Sequence, residues 1–314
     1  MVNIINMHIP PFTLDRQFQE IGSEIETEVL KVLKGGQYIG GREISKFEEN
    51  FSSLIDVRHT IGCNSGTDAL VLALRALDIG KGDEVITSSF SFFATAEAIS
   101  AVGANPIFVD IDPETYLINT ELIEKAINPN TKAIMPVHLF GNAVNMNLIN
   151  LLADKYGLKV IEDCAQATCT MWENSRVGSI GNIGCFSFFP TKNLGAAGDG
   201  GAVTTSDQKI ATRIRELAVH GSPLRYHHTQ IGYNSRLDTI QAAILNIKIK
   251  YISKWISNRQ KIARNYFELL EKNSFISLPK INSDSVFHSW NQFVIKLKNE
   301  KYNLNEDYSN LFDT

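Results

Sequence analysis

From Ile61 to about Thr205 the chain alternates short apolar runs with helix-length amphipathic stretches, and few architectures accept that pattern. The strand-like runs are 84–87, 106–110, 133–137, 159–162, 185–189 and 202–205. Helical spacing marks 68–77, 94–102, 120–127, 147–156 and 207–218. Strands that alternate with helices pair in parallel and are covered on both faces. The expected fold class is therefore α/β, with a mostly parallel central sheet flanked by helices. Such sheets bind ligands beyond the carboxyl ends of their strands, so functional residues are sought just after each strand.

Two helices precede this block. The first, 20–33, is stopped by Gly35 and Gly36; the second carries Ile44, Phe47, Phe51, Leu54 and Ile55 on one face. Gly40 and Gly41 lack a strand ahead of them and read as turns, not as a phosphate loop. After Arg236 a helical pattern runs from 237 to 271, with Ile240, Ile244, Ile247 and Tyr251 in register. That is too long for one helix of a compact domain, so it is expected to lead into a smaller one. The 314 residues then divide into a large domain, 1–240, and a small C-terminal domain, 241–314. The latter shows one strand, 291–297, and a polar tail from 298.

Composition narrows the classes of function. A net charge of -4 gives no pull toward nucleic acid or an anionic membrane. The longest apolar run, 69–77, is too short to span a bilayer and contains Arg75. Residues 1–12 lack the basic start of a signal peptide. Cys63, Cys164, Cys169 and Cys185 form no C-x-x-C pair, and buried reduced thiols place the protein in the cytoplasm. The seven histidines show no metal-binding spacing, and no metal is expected.

One lysine stands out. In Cys185-Phe-Ser-Phe-Phe-Pro-Thr-Lys192-Asn-Leu-Gly-Ala-Ala-Gly-Asp-Gly-Gly201 an apolar strand runs into Pro190, then Lys192, then a glycine-rich turn. Lysine is almost never buried unpaired. This setting suits an amine presented to a bound carbonyl compound, as in a Schiff base with pyridoxal phosphate. On this stretch alone, a surface lysine at a strand end fits equally well.

Other stretches carry chemistry of the same kind. Asn64-Ser-Gly-Thr-Asp-Ala-Leu70 opens a helix with small residues and hydroxyls, a place for a phosphate or simply an N-cap by Ser65 or Thr67. Asp163 and Gln166 follow a buried strand. An aspartate there would hold a pyridine nitrogen protonated, and Gln166 could bond a ring hydroxyl; helix capping and a solvated glutamine are the plain alternatives. Phe90, Phe92 and Phe93 lie in a polar loop after another strand, where one of them could stack on a flat ring, or all three could plug core. Gly232-Tyr-Asn-Ser-Arg-Leu-Asp238 offers donors to a phosphate or carboxylate just before the long helix, or a loop that caps it.

In this order the motifs resemble those of the pyridoxal-phosphate aminotransferases of fold type I, and more narrowly the DegT/DnrJ/EryC1/StrS family of nucleotide-sugar aminotransferases. The stretches that carry the match are 65–70, 162–166, 186–193 with 198–201, and 232–238, and the likeness runs from about residue 10 to about residue 297. The resemblance implies pyridoxal 5'-phosphate as cofactor, joined to Lys192 as an internal aldimine. It implies Asp163 at the pyridine nitrogen, Gln166 by the ring hydroxyl, Phe92 stacked on the ring, and Gly66, Thr67 and Ser187 on the phosphate. Asn234 matches an asparagine that reaches the neighbouring subunit's cofactor, which implies a homodimer with shared active sites.

The implied reaction moves an amino group from an amino acid, glutamate in most relatives, to a keto group of a nucleotide-linked sugar in two half-reactions. Lysine at 192 sets the chain apart from the branch that carries histidine there and dehydrates sugars. Residues 220–228 are similar to a loop of some 3-keto-sugar enzymes. Relatives continue past the strand at 291–297, so the small domain is expected to be incomplete. That raises a rival expectation: a non-catalytic, PLP-binding or regulatory protein that fails to turn over glutamate. A dinucleotide-binding enzyme is disfavoured by the missing G-x-G-x-x-G.

Overall fold

The computed structural model describes residues 12–298. Eight α-helices, one short 3-10 helix (Leu139–Gly141) and twelve strands follow one another within them. Two helices, α1 (Asp15–Gly35) and α2 (Arg42–Ile55), lead in. The body is β1 (His59–Cys63), α3 (Gly66–Ala76), β2 (Glu84–Ser88), α4 (Ala94–Ala101), β3 (Asn105–Val109), α5 (Thr120–Ala126), β4 (Thr131–Met135), α6 (Met146–Tyr156) and β5 (Lys159–Asp163). Short strands β6 (Met171–Trp172) and β7 (Ser175–Arg176) precede β8 (Ile183–Ser187), β9 (Gly201–Thr205) and α7 (Gln208–Ala218). Then come α8 (Thr239–Leu270), β10 (Ile276–Ser277), β11 (Val286–Phe287) and β12 (Lys296–Leu297).

Seven strands form one sheet in the order β1-β9-β8-β5-β4-β2-β3. β3, β2, β4, β5 and β8 pair in parallel, while β9 runs antiparallel to both β8 and β1. Six strands therefore end at one edge of the sheet, and β9 starts there. Side chains alternate across the pleat. Ile86, Ile134, Val160, Phe186 and Ala202 enter one core with α2, α6 and α8, and Val85, Ala133, Ile161, Cys185 and Val203 enter another with α3, α4 and α7. Both faces being covered explains why the strands read as unbroken apolar runs. Phe51 meets Phe186 and Phe188 edge-on, with ring centres 5.0 and 5.2 Å apart, and so seats α2 on the sheet.

The expected α/β class holds, and two expectations about particular strands change. The helical pattern read over 237–271 is one continuous helix of 32 residues, α8. It holds no Gly or Pro to break it, and its first half packs on α1 and α2, with Asn50 Nδ2 donating to Asn246 Oδ1 across 2.8 Å. Of the strand expected over 291–297, only β12 forms, paired with β10. Trp290 at φ 49° turns the chain, and Phe293 packs on Trp290 and Phe267 instead of extending. Strand β8 ends at Ser187, so Phe188 and Phe189 belong to the turn.

The chain beyond α8 returns to the sheet region through β11, which pairs with β6. All four cysteines are free and buried. Among the described residues no helix is long and apolar enough to cross a membrane. The expectations for the stretch before Phe12 and for the polar tail beyond Lys298 fall outside the described residues.

Candidate active site

At the edge where six strands end lies a cavity of about 440 Å³. Each wall comes from a segment that leaves or enters the sheet: Ser65–Thr67 after β1, Ser91–Thr95 after β2, Val137 and Leu139 after β4, Asp163–Gln166 at the end of β5, Ser187–Lys192 after β8, and Asp199 before β9. Of the eight residues singled out from sequence, Gly66, Thr67, Phe92, Asp163, Gln166, Ser187 and Lys192 line this one cavity. Asn234 does not. Its side-chain oxygen accepts from Arg236 Nη2 at 2.6 Å, and its carbonyl accepts from Asn64 Nδ2 at 2.9 Å.

One end of the cavity is an anion seat. Ser65 Oγ accepts from Asp68 N at 3.1 Å and caps α3. The N–H groups of Gly66 and Thr67, ahead of any i−4 partner in the helix, stay open to a ligand. Gly66 has to be glycine. A Cβ there would sit 2.7 Å from Ser187 Cβ, and one at Gly201 would sit 2.2 Å from Ser65 O. Helix start and β8–β9 hairpin thus touch, backbone to backbone. The segment with Asn234 braces this helix start from behind, Ser235 Oγ donating to Asp68 Oδ2 at 2.6 Å.

In the wall, Asp163 is 4% exposed. Its Oδ1 accepts from Ala165 N at 3.1 Å and its Oδ2 from Thr95 Oγ1 at 2.9 Å. Thr95 spends its proton on Asp163, so the 2.8 Å contact to Ser91 Oγ has Ser91 as donor. Burial pushes the Asp163 carboxyl above the usual carboxylate range, against these two bonds and the nearby Lys192 charge. Lys192 is half-buried, and burial lowers its amine while Asp163 pulls it back up. A less basic amine spends more time neutral at working pH, which a proton-transfer group needs.

Gln166 is oriented by the backbone. Phe140 N donates to its Oε1 at 2.7 Å, which leaves the amide NH₂ as the group free to donate into the cavity. Phe90, Phe92 and Phe93 are 48%, 74% and 72% exposed. They do not plug the core, and of the three only Phe92 lines the cavity.

Glu162, next to Asp163, points to the other face. Its carboxylate accepts from Gly178 N, Ile180 N and Gly181 N at 2.6–2.9 Å and from His138 Nε2 at 3.0 Å. Val144 N donates to His138 Nδ1, so the ring carries its proton on Nε2. His138, Glu162 and Cys164 approach one another as metal ligands would, but the Glu162 oxygens and both His138 ring nitrogens are already committed to these bonds.

Sequence reasoning missed Ser91, Thr95 and Asp199. The rule that ligands gather after strands covers the first two, which follow β2. Asp199 lies ahead of the one reversed strand, where that rule does not look.

The chain can now be set beside known proteins. The family model described as DegT/DnrJ/EryC1/StrS aminotransferase family matches residues 19–311. The UDP-N-acetyl-3-dehydro-alpha-D-glucosamine 3-aminotransferase of Acidithiobacillus ferrooxidans is 47% identical over 292 residues, covering 93% of this chain and 79% of the relative. Among solved structures, S. venezuelae DesV in complex with a ketimine intermediate superposes with a TM-score of 0.91 at 38% identity, covering 96% of this chain and 80% of that one. Bacillus subtilis ntda with bound cofactor PMP gives a TM-score of 0.85 at 34% identity, covering 96% and 68%. The fold is that of the fold type I pyridoxal-phosphate-dependent transferases. The fold is shared with these proteins along nearly the whole described chain, and the chain belongs to the DegT/DnrJ/EryC1/StrS aminotransferase family.

Proposed function

We propose that this protein is an aminotransferase that uses pyridoxal 5'-phosphate to move an amino group from an amino acid, glutamate in the first instance, to the keto group of a nucleotide-linked sugar. The observation that carries the reading is the meeting of Lys192, Asp163 and the α3 N-terminus around one cavity. These residues fit the cofactor. The open N–H groups of Gly66 and Thr67, with the Ser187 hydroxyl, would take its phosphate. Asp163 would meet the pyridine nitrogen, the Gln166 NH₂ the ring oxygen, and Phe92 the flat face. When bound, the cofactor supplies an electron sink for charge that develops at the substrate's carbon.

The chain's own residues do the rest. Asp163, pushed up by burial, would be held ionised by the opposite charge of a protonated ring nitrogen beside it. Thr95 and Ala165 fix both its oxygens in place. Lys192 Nζ, made less basic by burial, removes a proton at the substrate's carbon and returns one. Val137 and Leu139 give that wall an apolar surface, which excludes water and strengthens the charge interactions inside.

Among the described residues that line the cavity Lys192 is the one cation, yet a phosphate, a donor carboxylate and a sugar-linked pyrophosphate all need neutralising. That shortage supports a homodimer in which Asn234 and its neighbours serve the partner's site. The name of the A. ferrooxidans relative supports a 3-keto sugar as acceptor, in line with the 220–228 loop. Four free, buried thiols support a cytoplasmic setting.

The test begins with absorbance near the visible edge, which borohydride should fix onto Lys192, followed by bleaching of that band on adding glutamate. Keto sugar nucleotides carrying UDP, dTDP or GDP are then offered and the products weighed. Cofactor fixed to another residue, or none retained by folded protein, overturns the reading; bleaching without any aminated sugar overturns the substrate class alone.

A further inference from the structure

The turn that bears Lys192 is held from behind by α8. Lys192 N donates to Phe189 O at 2.9 Å and Ala196 N to Phe188 O at 2.7 Å, so the chain closes on itself around the lysine. The closure leaves no room for a side chain at Gly195, where a Cβ would lie 2.4 Å from Pro190 O. Two residues of α8, seven apart and hence two turns up the same side, reach the far limb of this loop. Gln241 Oε1 accepts from Ala197 N at 2.8 Å, and Lys248 Nζ donates to Gly195 O at 2.6 Å. A third tie, Asn193 Nδ2 to Ser289 O at 3.2 Å, comes from the segment after β11.

Lys248 is the unusual member. It is 4% exposed, it lies on a helix face otherwise filled by Leu245 and Ile252, and the Gly195 carbonyl is its one hydrogen-bond partner among the described residues. Burying an ammonium without a carboxylate is costly, and burial pushes its amine down to about 8. Packing alone would favour methionine or leucine at this position. What an ammonium adds is a charge-assisted bond aimed at one carbonyl, stronger than a neutral one.

We propose that Lys248 and Gln241 are positioning residues that clamp the Gly195–Ala197 limb and thereby set where the Lys192 amine stands in the cavity. The inference rests on the reading of Lys192 as the reacting amine. Neither residue lines the cavity, so both act through the turn.

Lys248→Met and Gln241→Leu test this. In cofactor-free protein, hydrogen exchange at the amides of Lys192, Ala196 and Ala197 is expected to quicken about tenfold in each variant, with the sheet amides unchanged. In loaded enzyme, kcat is expected to fall about tenfold while KM for the sugar nucleotide holds. Exchange that stays at the wild-type rate, or that rises evenly along the chain, overturns the clamp, as does an unchanged kcat. Should Lys248→Met fail to fold, Gln241→Leu decides by the same two readings, because it leaves no buried charge or core gap. Failure of the functional reading is separate: wild-type protein then shows no borohydride-fixed cofactor at Lys192, and the exchange measurement still reports on the clamp.

Discussion

Thr95 Oγ1 donates to Asp163 Oδ2 across 2.9 Å, joining the first turn of α4 to the end of β5. The bond favours the ionised carboxylate, which burial opposes. Thr95→Val keeps the shape and removes the donor. The Asp163 carboxyl then rises further, so the acid limb of the kcat/KM profile moves to higher pH, with roughly a tenfold loss on that limb. A profile that keeps its acid midpoint would show that Thr95 does not govern this carboxyl.

Asp163→Asn leaves the side chain nearly isosteric and removes its charge. Ala165 N retains its acceptor, so folding should persist. Turnover should fall on the order of 10²-fold or more, as for loss of one preorganised electrostatic partner. Borohydride should still fix cofactor onto Lys192, since that amine is untouched. Single-turnover kinetics with glutamate would locate the loss in the proton-transfer step.

His288 predicts an acid-side weakness. Its Nδ1 accepts from Trp290 N at 2.9 Å, and burial pushes the ring's pKa down to about 3. In the unfolded chain the ring returns to its ordinary value of 6.5. Between about pH 6.5 and 3 the unfolded chain binds the extra proton, so this residue's share of stability is lost as pH falls through that window. His288→Asn retains an acceptor and cannot protonate. Thermal unfolding from pH 7 to 4 should show a shallower decline in the variant than in the wild type.

Lys248 predicts the opposite limb. Burial pushes its amine down to about 8 in the folded chain, against an ordinary value of 10.5. Between those values the unfolded chain holds the extra proton, so stability gains as pH rises. The difference in unfolding free energy between wild type and Lys248→Met should therefore shift toward the wild type from pH 8 to 10. A flat difference would mean that the amine is not desolvated.

Much of this was legible from residue order, and the gaps have physical causes. The parallel strands announce themselves because both faces are buried. β1 does not: Gly62 interrupts it, and glycine is needed there because a Cβ would lie 2.9 Å from Leu237 Cβ. Two-residue strands such as β6, β7 and β11 carry no periodicity to read. Lys192, Asp163, Gly66 and Gln166 sit beside turn and strand signals, which is why they were visible. Thr95 and Lys248 look like ordinary helix residues, since their partners stand 68 and 53 residues away. Periodicity shows the long helix but not its support, which comes from α1 and α2, at the other end of the chain.

Glu162 and Asp163 are neighbours with separate duties. One is saturated by four donors and ties a loop to the scaffold; the other keeps a face toward the cavity. Because the pleat alternates, slipping β5 by a single position would exchange them, stranding the loop's amides and turning the wrong acid toward the ligand. Architecture and reactivity are thus wagered on the same dipeptide, and a mispaired chain has no route to a half-working enzyme.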